Sequence, residues 1–133
     1  MKRLPVIALL SVCMLCACQK EGFDEAFLQS DALRLEIKGY TVFSYDPLSC
    51  QMGFSRDKAE FRVHSDNMSD FYILALSRIP AGVGEEIPGS ITWTTSKDIH
   101  NKKTTFEVMK LEGGRIWLWS SSNRTAVVVG VLD

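Results

Sequence analysis

From Leu33 onward, apolar and polar positions alternate along the chain with a period of two. Leu33, Leu35 and Ile37 alternate with Arg34, Glu36 and Lys38, the mark of a strand with one buried face. Gly39 interrupts the run, residues 40–45 resume it, and Asp46-Pro47 turns the chain. Cys50, Met52 and Phe54 share one parity. After a turn at Arg56-Asp57-Lys58, Phe61 and Val63 alternate with Glu60, Arg62 and His64, which predicts a hairpin. Asp66-Asn67-Met68-Ser69-Asp70 reads as a further turn. The apolar run over residues 71–76 predicts a strand covered on both faces, ended by Pro80. Residues 81–89, with three glycines and the pair Glu85-Glu86, read as a longer loop. Strands are then expected at about 90–96, 104–112, 115–120 and 125–132. A turn over residues 97–103 and a two-residue primed turn at Gly113-Gly114 separate them.

About eight or nine short strands at this spacing predict an all-β domain, either an antiparallel β-sandwich or a small β-barrel. Short connections favour a meander over crossovers. Helical periodicity is confined to the first residues, where Lys2-Arg3 precede an apolar stretch of about 15 residues, short of the ~20 that span a bilayer as a helix. This is the layout of an export signal, expected to be helical and to be removed.

The end of that stretch, Leu15-Cys16-Ala17-Cys18, resembles the lipobox of bacterial lipoproteins, with Leu three residues before the modified cysteine and a small residue directly before it. Cys13 and Cys16 fit less well, because the bulky Val12 and Leu15 precede them. The resemblance implies lipid transfer to Cys18, cleavage after Ala17 and acylation of the new amino terminus. Gln19 in the next position implies sorting to the outer membrane. The charges Lys20-Glu21 and Asp24-Glu25 resemble the surface-export tethers of lipoproteins from Bacteroidota. The expected organisation is therefore a signal peptide over residues 1–17, the lipidated Cys18 with a tether through residue 31, and a single all-β domain over residues 32–133.

Cysteine usage agrees with that layout. Of the four cysteines, Cys13 and Cys16 leave with the leader and Cys18 is alkylated, so Cys50 has no intramolecular disulfide partner. Stability must then come from the apolar core. Removing Lys2 and Arg3 with the leader lowers 15 basic groups to 13 against 16 acidic ones, a formal net charge of −3. Such a chain lacks the concentrated basic footprint of a nucleic-acid binder.

Candidate chemistry is sparse. Cys50 with His64 or His100 is the only nucleophile–base combination of the thiol type, but Cys50 shares the parity of Met52 and Phe54 and reads as a small buried hydrophobe. The oxygen-rich residues 66–70 lack the spacing of a calcium loop, and neighbouring Glu85 and Glu86 point apart on an extended chain. No cofactor is expected. Trp117 and Trp119 lie two apart on one strand face, opposite Ile116 and Leu118. An exposed pair would make a stacking surface for a glycan or an apolar partner; a covered pair would be packing, leaving loops 81–89 and 97–103 for recognition. The expected function is a non-enzymatic binding or structural β-domain on a membrane-anchored envelope lipoprotein, periplasmic or surface-facing, with a protein or glycan partner. A small-ligand carrier with a closed barrel and an envelope hydrolase using Cys50 are the alternatives.

Overall fold

The computed structural model describes Phe23 and residues 25–30, 32–95 and 98–130. The leader and Cys18 lie outside the described residues. Nine strands follow a short 3-10 helix at Glu25–Gln29: β1 Arg34–Ile37, β2 Tyr40–Ser44, β3 Cys50–Ser55, β4 Glu60–Ser65, β5 Phe71–Leu76, β6 Glu86–Thr95, β7 Asp98–Glu112, β8 Arg115–Ser120 and β9 Thr125–Gly130. They form one antiparallel sheet in the order β2-β1-β9-β8-β7-β6-β5-β4-β3. From β3 to β9 the chain is a meander, and the β1–β2 hairpin returns to pair with β9.

This sheet is curled into a half-barrel. A sandwich needs two sheets, and the described residues make one. A closed barrel needs its edges joined, and among the described residues no ladder links β2 to β3. The curl is measured by Tyr72 on β5. Its O–H donates to the Val128 carbonyl on β9 at 2.7 Å, although β5 and β9 stand four places apart in the sheet. Laid flat, four strand spacings are about 19 Å. The Phe43 ring on edge strand β2 also meets Tyr72, edge to face at 5.4 Å. The concave side is filled by Leu35, Phe61, Val63, Leu74, Ile87, Ile91, Phe106, Val108, Leu118 and Val127, all buried.

Strand β5 alternates instead of being covered on both faces: Tyr72, Leu74 and Leu76 are buried, while Phe71, Ile73 and Ala75 are half-buried. The strands covered on both faces are β8 and β9. The cause lies in the segment expected to be a tether. Phe23 and the Glu25–Gln29 helix pack on the convex side, with Phe27 only 1% exposed and the Arg34 guanidinium over its ring at 5.0 Å. Among the described residues, Phe23 and residues 25–30 thus pack against the sheet, ahead of residue 32, where the all-β domain was expected to start.

The β6–β7 hairpin is longer than the expected strands at 90–96 and 104–112: it takes in residues 86–89 of the first expected loop and residues 98–103 of the second. Pro88 does not end β6, because its carbonyl accepts the Ser77 N–H just past the last residue of β5. N and C=O of one residue face the same side of a strand, so the missing donor falls where that ladder stops. Gly113 and Gly114 both take positive φ, 57° and 76°, as the primed turn requires.

Gly89 is held by close approach. A Cβ there would lie 2.6 Å from the Ala75 carbonyl oxygen and 2.8 Å from Leu76 Cδ2. Because the nearer atom is backbone, the ladder must shift to admit it. Gly89→Ala is expected to cost about 1–3 kcal/mol in urea unfolding; an unchanged midpoint would show that β5 and β6 are less closely apposed.

Candidate functional site

Cys50 and His64, one of the two thiol–imidazole combinations, are kept apart. Cys50 lies opposite Ser65 in the β3–β4 ladder, and His64 lies opposite Gln51, so Cys50 and His64 project from opposite faces. His64 Nδ1 is 2.8 Å from the Ser65 carbonyl. His100 is on β7, with its Nε2 2.7 Å from Thr95 Oγ1.

The acidic candidates serve the backbone. The Glu85 carboxylate accepts the N–H groups of Ala81 and Gly82, the latter at 2.6 Å, and the Arg78 guanidinium at 3.3 Å. Those backbone N–H bonds, with Arg78 as a smaller influence, hold its pKa below the ordinary carboxylate value. Glu85 thus clasps the loop before β6. In the turn 66–70, Asn67 Oδ1 accepts from Ser65 Oγ, Ser69 Oγ and the Ser69 N–H. Its oxygen is committed to the turn itself. Among the described residues no three His, Cys, Asp or Glu side chains converge to hold a metal.

Trp117 and Trp119 are buried, at 1% and 4% exposure. Ile116 and Leu118 face the concave core, and the tryptophans lie under the N-terminal segment on the convex side. Trp117 Nε1 donates to the Ser30 carbonyl at 2.9 Å. Lys110 Nζ sits 4.6 Å above the Trp117 ring and donates to the Leu28 carbonyl at 2.7 Å. Phe23 packs edge-on to Trp119 at 5.2 Å. The pair is an attachment site for the chain's own segment, so it offers no open stacking surface.

Two concavities remain near the β8–β9 turn. One, of about 610 Å³, lies beside Trp119 and mixes Glu86 and Glu107 with Lys103, so its charges do not select one ligand sign. The other, of about 410 Å³, occupies the mouth of the half-barrel. Its aromatic wall is Trp93 stacked on His100, with centroids 5.4 Å apart and planes at 20°. Lys38, Lys102 and Arg124 contribute the cations, with Asn101, Ser122 and Asn123 between them, and no carboxylate lines it.

The elements that place these cations are definable. Lys38 and Gly39 form the β1–β2 turn, Arg124 ends the β8–β9 turn, and the Lys38 N–H donates to the Arg124 carbonyl at 2.8 Å. Both cationic residues hold positive φ, 52° and 48°, where Gly or Asn would be less strained. Lys102 stands on the projecting part of β7, paired with Ile91. His100, Asn101, Lys102 and Lys103 read as a turn because their polarity does not alternate; the hairpin here runs past the part of β7 that pairs with β8.

Comparison of the chain with known protein families, curated proteins and solved structures finds no match.

Proposed function

We propose that this chain is a lipoprotein of the bacterial envelope, anchored through acylated Cys18 to the outer membrane, whose half-barrel is a non-enzymatic binding module. The observation that carries the reading is Leu15-Cys16-Ala17-Cys18 at the end of a short apolar stretch behind Lys2-Arg3. Two or more acyl chains give stable attachment where a single chain holds only marginally. No helix among the described residues is long and apolar enough to cross a membrane. The separation of Cys50 from His64 supports binding over thiol chemistry. The carrier alternative draws on the same curl, but Phe61, Tyr72 and Phe106 fill the interior, which moves any ligand to the mouth.

Cys18→Ala is expected to abolish lipid incorporation and leave the precursor uncleaved, as read by intact-mass spectrometry of the membrane fraction. An unmodified amino terminus at another cleavage site in the unaltered chain would overturn the assignment.

A further inference from the structure

The docked N-terminal segment sets which end of the domain lies nearest a lipid anchor. From Ser30 back to Phe23 the segment climbs the convex face, meeting Trp117 first and Trp119 last. Trp119 is one residue from the end of β8, so Phe23 lies at the mouth end of the sheet. Five residue steps separate Phe23 from Cys18, a reach of at most about 18 Å. From Trp119 back to Arg115, strand β8 runs four residue steps, about 14 Å. The mouth end therefore lies nearest the anchor, and the opposite end, marked by Gly113-Gly114, meets the bilayer only with the tether almost fully extended.

That same end carries the cationic mouth. Among the described residues, no carboxylate pairs with Lys38, Lys102 or Arg124. Guanidinium and ammonium donors around a concavity match the oxygens of a phosphate group. The acids of this end, Asp66, Asp70 and Asp98 with Glu86 and Glu107 of the neighbouring concavity, lie outside the pocket lining, so attraction is concentrated in the pocket while the rim opposes it.

From tether length and charge together we infer that the half-barrel rests mouth-first on the membrane, with Lys38, Lys102 and Arg124 engaging the phosphate of an anionic lipid headgroup. The inference rests on the anchoring of Cys18 proposed above. It assigns the short tether a function: the anchor supplies the headgroup at high local concentration, so weak individual contacts suffice. Three cations near an anionic surface favour the docked state by about a hundredfold.

The test uses the acylated chain in vesicles of phosphatidylcholine alone or of phosphatidylcholine mixed equally with phosphatidylglycerol. Backbone hydrogen exchange is followed at residues 100–102 and 122–124, with Gly113-Gly114 as reference. Exchange at the mouth is expected to slow several-fold in the anionic vesicles only, to recover in 1 M salt, where screening acts within about 3 Å, and to recover in the Lys38→Gln, Lys102→Gln, Arg124→Gln triple variant. A third arm adds inorganic phosphate to the neutral vesicles: equal slowing there would identify a free-anion site and overturn the headgroup assignment. Equal exchange in both vesicle types, or slowing that survives salt, overturns it as well, and neither readout depends on the variant folding. An amino terminus without lipid in the mass spectrum would instead strike the anchoring reading. The pocket would then be tested separately, by co-sedimentation of the unlipidated chain with the same vesicles.

Discussion

Trp117→Ala is expected to lower the unfolding free energy by about 3–5 kcal/mol, the range for removing a buried large aromatic side chain. Two further losses push it toward the upper end. The Ser30 carbonyl loses its indole donor, and Lys110 loses the ring beneath its ammonium. Because both contacts hold the N-terminal segment to the sheet, the substitution should also release that segment. Limited proteolysis between residues 23 and 33 is expected to become fast under conditions where the unaltered chain resists. Trp119→Phe supplies the control. The Trp119 Nε1 is buried with no hydrogen-bond partner among the described residues, and an unsatisfied buried donor costs about 1–3 kcal/mol, so removing it offsets part of the lost packing. A guanidinium titration followed by far-ultraviolet dichroism measures both variants. A Trp117→Ala loss below about 1 kcal/mol would mean that the segment does not cover the indole in solution.

The alternation of apolar positions located the strands well, because one face of each hairpin is buried and the side-chain period of a strand is two. Turn chemistry at Gly113-Gly114 was legible for the same local reason. What local pattern could not carry was the number of sheets, since inward-facing residues alternate alike in a sandwich and in a curled sheet. The Trp117 and Trp119 face shows the same limit. Parity placed both rings on the side opposite Ile116 and Leu118 but could not say what covers it, and the cover is a segment some 87 residues away in sequence. Phe23, Phe27 and Leu28 are the available signal: three large apolar residues in a stretch of charged, polar and small ones, all part of the core or packed against it. The cationic mouth was hidden for a different reason. Lys38, Lys102 and Arg124 are scattered along the sequence, and only the register that sets β1 beside β9 and β6 beside β7 brings them to one end.

Tyr72→Ala should destabilise the domain as severely as the loss of Trp117, by about 3–5 kcal/mol, on the scale of other buried aromatic truncations. Tyr72 has no exposed surface and joins the two sides of the curl, through the Phe43 ring on β2 and the Val128 carbonyl on β9. Tyr72→Phe separates the hydroxyl from the ring. It keeps the packing and removes only the donor to Val128, so the expected cost is about 1–3 kcal/mol at neutral pH. The two variants also differ from the unaltered chain in alkali. Burial raises the Tyr72 phenol well above its ordinary value of 10.0, against a smaller lowering from Arg115. The folded state therefore keeps this proton at a pH where the unfolded chain releases it. The stabilisation is complete below pH 10 and is lost as pH rises from there toward the folded-state value, by about 1.4 kcal/mol per pH unit for one proton. Unfolding curves between pH 9 and pH 11 should therefore fall more steeply for the unaltered chain than for Tyr72→Phe, which lacks the titrating group. Parallel decline of the two would show that the Tyr72 hydroxyl is not sequestered, and that the hydrogen bond across the curl does not persist in solution.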